Sequence, residues 1–446
     1  MSNAAATRAL DRPVTGTGTT YAAKVRVLLI GSGGREHALA VALAADPVVD
    51  RLVVAPGNPG IATFAEVRGV ETGDPGAVAG LATQMNADLV VVGPEAPLVA
   101  GVADAVRHVG IPCFGPSRAA AQIEGSKAFA KSVMAAAKVP TARSHTCRTP
   151  ADVARALDEF GGPYVVKHDG LAAGKGVVVT EDRQAALAHA AAAAEVVVEE
   201  FLSGPEVSLF VITDGSHAVP LLPAQDFKRI GDGDTGPNTG GMGAYTPLPW
   251  APSGLVEDVM SYVVSPTLTE MASRGATFSG LLYCGLVLTG DGPKVIEFNC
   301  RFGDPEVQAV LALLETPLGS LLHAAATDRL AEHPPVAWRP GAAVTVVVAS
   351  EGYPAKPRTG DVITGALSPD GGPVPGILHA GTRLDDSGNL VTAGGRVLSC
   401  TAVGADLAAA RANAYRLVEQ VSWEGAQYRT DIAQAAVADR IRIPPA

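Results

Sequence analysis

Glu297 and Asn299 stand two residues apart in Lys294–Glu306, KVIEFNCRFGDPE. Val295, Ile296 and Phe298 read as strand, and side chains alternate along a strand, so the carboxylate and the amide share one face. Two oxygen donors beside a short turn, Arg301 to Pro305, outline a hard-cation site with room left for phosphate oxygens. The same pair on a solvated strand edge would do nothing, so the surroundings decide.

Upstream lie the groups such a cation would need. Lys127 follows Gly125-Ser126 at the start of an apolar-periodic helix that runs to about Lys138, with Pro140 beyond it. Lys167 sits on the strand Tyr164–Lys167, and Val177–Thr180 reads as the next strand. Between them, Gly170-Leu171-Ala172-Ala173-Gly174-Lys175-Gly176 makes a flexible hairpin whose N–H groups, with Lys175, could fold over a polyphosphate. It is not a P-loop: the GxxxxGK[ST] spacing is absent and no helix follows directly. Glu199 and Glu206, with Leu202 between them, end and restart apolar strands around a loop. Acidic residues there suit an adenine amine and ribose hydroxyls, and would equally suit a solvated strand edge. Gln225–Ala244, QDFKRIGDGDTGPNTGGMGA, is too rich in Gly, Asp, Asn and Thr to bury much apolar surface. It reads as a substrate-binding loop inserted in one domain.

These residues need a scaffold. At 446 residues the chain exceeds one core, and two to four domains are expected. Hydrophobic residues at 47% and charged ones at 18% describe a globular protein, and 50 glycines with 33 prolines imply many loops. A net charge of −11 argues against a nucleic-acid backbone as main partner, and no apolar run is long enough to span a bilayer. The five cysteines, Cys113, Cys147, Cys284, Cys300 and Cys400, show no CxxC, which favours a reducing compartment. Residues 1–23 read as a disordered leader.

The apolar run Val25–Ile30 enters a glycine turn, Gly31 to His37, that opens a helix: an anion cradle in outline, with Gly33, Gly34, Arg35 and Glu36 at its mouth. Strands Leu52–Ala55 and Leu89–Val92 end in loops carrying Asn58 and Pro94-Glu95. The pattern is a doubly wound α/β domain. A dinucleotide site is disfavoured, because Glu36 replaces the third glycine of GxGxxG and no acidic residue follows the second strand. Past the Pro-rich joint His333–Pro340, strand Ala343–Ala349 opens a β-rich region that ends in a helix at Leu407–Val421.

The segments GSGGREHALA, VVGPEAPLV, KHDGLAAGKGVVV, VVEEFLSGPEVSLF, DGDTGPNTGGMGAY and VIEFNCRFGDPE, in this order, resemble the phosphoribosylamine–glycine ligases of the ATP-grasp superfamily. The resemblance covers roughly residues 24–440. It implies an α/β and α+β multidomain fold: an N-terminal doubly wound domain (24–125), an ATP-grasp core (126–335) with an inserted lid (about 141–200) and a C-terminal β-rich domain (341–446). It implies that glycine is phosphorylated by ATP and then joined to 5-phosphoribosylamine, in a cytoplasmic monomer or weak dimer without nucleic-acid or membrane partners. By the same resemblance Lys127, Lys167, Gly170, Gly174, Lys175 and Gly176 hold the polyphosphate, and Glu199, Leu202 and Glu206 surround the adenosine. Glu297 and Asn299 carry Mg²⁺ or Mn²⁺. Asp226, Lys228 and Arg301 are catalytic. Asn238, Thr239, Gly240, Gly241, Met242 and Gly243 line the glycine site, and Gly33, Gly34, Arg35, Glu36, Asn58, Pro94 and Glu95 face the phosphoribosylamine. The chain departs from the family pattern at His168, at Phe227, and in a lid about ten residues shorter before the EEFL strand, which bears on how well water is excluded.

Overall fold

A computed structural model describes residues 24–171 and 176–445. The N-terminal region comprises β1 (Val25–Gly31), α1 (Gly34–Ala44), β2 (Val49–Pro56), β3 (Glu66–Val67), α2 (Pro75–Gln84), β4 (Leu89–Val92), α3 (Glu95–Ala100), α4 (Val102–His108) and β5 (Cys113–Phe114). Its strands pair in parallel in the order β3-β2-β1-β4-β5. Val27 to Ile30 and Leu89 to Val92 are buried, the continuous apolar pattern of strands covered by helices on both faces. The order reverses at β1, so the loops after β1 and β4 meet at one edge, where ligands bind in such sheets.

Two short helices follow, α5 (Gln122–Gly125) and α6 (Lys127–Ala137). Ser126 caps α6, its hydroxyl accepting from the Phe129 N–H at 3.1 Å. The lid is a four-stranded antiparallel sheet, order β6-β9-β7-β8, built from β6 (Ser144–Cys147), α7 (Pro150–Phe160), β7 (Tyr164–His168), β8 (Val177–Thr180), α8 (Arg183–Ala190) and β9 (Val196–Glu199). Helix α8 ends at Ala190, and a turn leads straight into β9.

A second antiparallel sheet, order β11-β10-β16-β17, faces the lid with β10 (Glu206–Thr213) and β11 (Ala218–Pro220). The glycine-dense stretch then makes β12 (Gln225–Asp226), β13 (Arg229–Gly231), β14 (Thr235–Asn238) and β15 (Gly243–Thr246). Helices α9 (Leu255–Val259) and α10 (Ser265–Ser273) lead to the floor hairpin, β16 (Gly280–Thr289) and β17 (Gly292–Asn299). The hairpin turns at Gly290-Asp291.

Helices α11 (Glu306–Leu313) and α12 (Leu318–Ala326) precede the last region: β18 (Ala342–Ala349), β19 (Ile377–His379), β20 (Thr382–Leu384), β21 (Leu390–Thr392), β22 (Arg396–Gly404) and α13 (Leu407–Val418). Its main sheet runs β12-β15-β18-β22-β19. Strands β12 and β15 belong to the glycine-dense stretch, so that stretch is an edge of the C-terminal sheet rather than a free loop. Gly243 to Thr246 pair with Val346 to Ala343.

Candidate active site

The lid, the floor sheet and the N-terminal loops enclose a cleft of about 800 Å³. On its floor, Glu297 and Asn299 point to the same side of β17, with the Asn299 Nδ2 3.5 Å from Glu297 Oε1. Gly285 lies opposite Glu297 across the hairpin, and a Cβ there would come within 2.9 Å of the Glu297 Cγ. Burial opposes charge on Glu297, but Lys228, Lys167 and Arg301 outweigh it and hold the carboxyl below its usual range. An ionised carboxylate beside an amide is a hard-donor pair. With few protein ligands it suits a cation that keeps water and phosphate oxygens. Among the described residues no three His, Cys, Asp or Glu side chains form a metal cage.

Above the floor, Lys127 donates to the Gly170 carbonyl at 2.9 Å, and Asp169 receives the Ser126 hydroxyl at 3.0 Å and the Ala128 N–H at 3.0 Å. The root of the glycine hairpin is thus fastened to the N-terminus of α6. Gly174 and Lys175 lie outside the described residues. Lys167 donates to the Ile296 carbonyl at 2.8 Å and pairs with Glu199 at 2.9 Å; Lys131 pairs with the other Glu199 oxygen at 3.1 Å. Burial pulls the Lys127 and Lys131 ammonium groups below their ordinary range despite nearby Glu297 and Glu199 respectively. The Glu199 carboxylate, expected at the adenosine, lines the cleft and pairs with two lysines. Leu202, Glu206, Gly170 and Gly176 all line the cleft.

The Glu206 carboxylate pairs with Lys228 at 2.5 Å. Burial pushes the Asp226 carboxyl well up; Lys228 opposes this, while Glu306, Glu206 and Glu297 reinforce it. Burial works against charge on Lys228, but Glu206, Asp226 and Glu297 outweigh it and raise its pKa well above normal. The wall therefore presents an ammonium beside a buried carboxyl. Glu306 accepts from Ser208 and Tyr283, each at 3.1 Å, just behind. Arg429, 1% exposed in its side chain, holds the neighbouring loop: it donates to Asp234 at 2.7 Å and lies 4.9 Å above the Phe227 ring. The aromatic residue at 227 thus floors a cation. His168 stacks on His189 with ring centroids 4.0 Å apart.

Arg301 is bracketed by Glu95 at 3.2 Å and Glu124 at 3.0 Å. Burial disfavours its charge, but these two carboxylates more than compensate and raise its pKa. Arg35 donates to Glu36 at 2.6 Å and to the Phe302 carbonyl at 3.1 Å. Arg35, Glu95 and Arg301 line the cleft together, so the N-terminal loops meet the turn after β17 there.

Several residues expected at a ligand make contacts within the chain. The cradle at Gly33 is filled by the chain's own Glu36, which is buried, accepts the Gly33 N–H at 2.6 Å and packs so tightly that a Cβ on Gly93 would lie 2.2 Å from it. Gly34 packs beneath Gln308 and Ser399. Asn58 spends its amide on the Ser32 and His379 carbonyls (2.8 and 2.9 Å) and its oxygen on the Ile61 N–H (3.0 Å). Pro94 is the N-cap of α3 and places Glu95. Asn238, Thr239 and Gly240 do line the cleft, whereas Gly241, Met242 and Gly243 are buried against Pro305 and the C-terminal sheet. Sequence reading missed Lys131, although it lies one helical turn beyond Lys127. It also missed Glu124, Asp304 and Arg396, where Arg396 pairs with Asp304 at 3.2 Å and donates to the Gly240 carbonyl at 2.6 Å.

Two antiparallel sheets closing on a cleft of lysines and carboxylates define an ATP-grasp fold. Models of the phosphoribosylglycinamide synthetase N domain, ATP-grasp (A) domain and C domain match residues 25–124, 125–307 and 343–435. The chain is 62% identical over 414 residues to the phosphoribosylamine–glycine ligase of Streptomyces coelicolor, covering 92% of this chain and 99% of that one. It is 56% identical over 428 residues to the Mycobacterium tuberculosis ligase of the same name, covering 94% and 100%. The crystal structure of phosphoribosylamine–glycine ligase from Thermotoga maritima superposes with a TM-score of 0.80 at 34% identity, covering 92% and 100%. The biotin carboxylase domain of Hydrogenobacter thermophilus 2-oxoglutarate carboxylase, at 15% identity and TM-score 0.68 over 91% and 92%, shares the fold alone. The chain belongs to the phosphoribosylglycinamide synthetase family and is an ATP-binding ligase. No helix among the described residues is long and apolar enough to cross a membrane.

Proposed function

We propose that the cleft joins glycine to 5-phosphoribosylamine through glycyl phosphate, giving glycinamide ribonucleotide, ADP and phosphate. The observation that carries this is the convergence of Lys127, Lys167, Lys228 and Arg301 around Glu297 in one cleft. A carboxylate is a poor electrophile, and phosphoryl transfer between anions needs cations and in-line positioning. In the first step a glycine carboxylate oxygen bonds to the γ-phosphorus and the bond to the β-phosphate oxygen breaks, releasing ADP. Lys127 and Lys167 hold the polyphosphate, and Lys228 with Asp226 orients glycine. In the second step the amine attacks the glycyl carbon, phosphate leaves with the C–O bond electrons, and the nitrogen loses a proton. Arg35 and Glu95 face that amine-bearing sugar phosphate, and Arg301 stands between the two substrates. Glu297 and the Asn299 amide oxygen would hold Mg²⁺ or Mn²⁺, which neutralises phosphate charge when bound.

The described cysteines are all buried and unpaired, which supports a reducing, cytoplasmic setting. A coupled ADP-release assay tests the function. ADP should appear only with glycine, and sustained turnover should require phosphoribosylamine. Release dependent on bicarbonate and biotin instead would overturn the reading.

A further inference from the structure

An ammonium group has three N–H donors, and counting them separates two lysines that look alike in sequence. Lys131 gives one to Glu199 at 3.1 Å, one to the Thr141 hydroxyl at 2.9 Å and one to the Ala142 carbonyl at 3.1 Å. None remains for a ligand. Lys167 gives one to Glu199 at 2.9 Å and one to the Ile296 carbonyl at 2.8 Å, which leaves a single donor, and it lines the cleft. Thr141 in turn donates to the Val295 carbonyl at 2.6 Å, so both lysines are registered against consecutive carbonyls of the floor strand β17. Glu199 is 3% exposed and shares its two oxygens between them.

Charge gives the arrangement its consequence. One buried carboxylate between two ammonium groups leaves a net positive charge in the cleft wall. With Lys131 absent, Glu199 would neutralise Lys167 outright, and an incoming phosphate would have to compete with it. We infer that Lys131 is a positioning residue for nucleotide binding: it occupies half of Glu199 so that Lys167 keeps one donor and its charge for the polyphosphate of ATP. This rests on the reading of Lys167 as a phosphate ligand.

The test is a charge-suppression cycle read as KM for ATP against kcat. Lys131→Met should raise KM for ATP roughly tenfold while kcat falls less than about threefold, because ground-state attraction is what is lost. Adding Glu199→Gln removes the competing charge, so Lys131→Met/Glu199→Gln should return KM to within about threefold of wild type. Lys131→Arg, which retains the cation, should stay closer to wild type than Lys131→Met. If Lys131→Met does not fold, Lys131→Gln, an uncharged side chain able to keep hydrogen bonds to Thr141 and Ala142, takes its place in the comparison. An unchanged KM in Lys131→Met, or a double variant as impaired as the single one, overturns the inference. Lys167→Met with unchanged KM for ATP would instead overturn the phosphate role of Lys167, a separate failure.

Discussion

Replacing Gly241 with alanine should damage the molecule far more than the same change one residue earlier. Gly241 has φ +109°, and a Cβ built there lies 2.4 Å from Pro305 Cδ and 3.3 Å from the Asp304 carbonyl. Both neighbours belong to the turn that follows the floor strand, so neither can swing aside as a side chain would. A backbone conformation that L residues rarely adopt costs about 1–3 kcal/mol, and overpacking a filled site costs about 1–3 kcal/mol more. Gly241→Ala should therefore lose roughly 2–6 kcal/mol, a large share of the stability of an ordinary domain. At Gly240 the new Cβ would meet the Arg396 guanidinium at 3.0 Å, a side chain held by Asp304 and the Gly240 carbonyl but able to shift by a few tenths of an ångström, and Gly240→Ala should cost about 1 kcal/mol. Urea unfolding followed by tryptophan fluorescence is a direct assay, because the Trp250 N–H donates to the Tyr245 hydroxyl at 2.8 Å and so reports on β15. Equal midpoints for the two variants would refute the claim that the glycine motif serves packing between regions here.

Two further outcomes follow from the cleft and its supports. Glu297→Ala, which leaves Lys228, Lys167 and Arg301 around an empty position, should cut ADP release by about 100-fold or more while circular dichroism shows an intact fold; wild-type-like turnover would refute the metal assignment. His37 is buried against His379, and its Nδ1 accepts the His379 N–H at 2.8 Å. Burial, with His379 nearby, depresses its pKa from 6.5 to about 3. The neutral ring is the folded form, so this contribution is complete above pH 6.5 and is lost as pH falls toward 3. Lowering the pH to 5 should cost about 2 kcal/mol in wild type that His37→Gln does not lose; equal pH dependence of the urea midpoint would refute it.

What the sequence made legible was whatever is local. Alternation along β17 places Glu297 and Asn299 on one face without reference to anything distant. Roles that depend on partners far along the chain were not legible. Glu199 looks like an exposed acid at a strand end until Lys131 arrives from α6. Asn58 looks like a ligand until the His379 carbonyl, from the C-terminal region, takes its amide. Of the run Asn238 to Gly243, which advertises a binding loop, only Asn238 to Gly240 face the cleft, because Gly241 packs on Pro305 and β18 takes Gly243 as a sheet neighbour. Arg396 and Arg429, which fasten that loop, carry no local signature at all.

The same contacts bear on which part of the molecule can move during a catalytic cycle. The apolar core of the lid draws on residues from Cys147 to Val198 alone, whereas the two large cores each mix N-terminal, floor and C-terminal residues. Separating those three regions would expose buried apolar surface at roughly 25 cal/mol per Å². Parting the lid from the floor breaks instead a short set of polar links: Lys167 to Ile296, Lys127 to Gly170, Lys131 to Glu199, and Asp169 to the start of α6. Each of these can be exchanged for water or for phosphate at a net cost near 1 kcal/mol or somewhat more where a charge is involved. Nucleotide entry is therefore easiest by lid displacement. Two of the residues that would grip the nucleotide, Lys127 and Lys167, also hold the lid down without it.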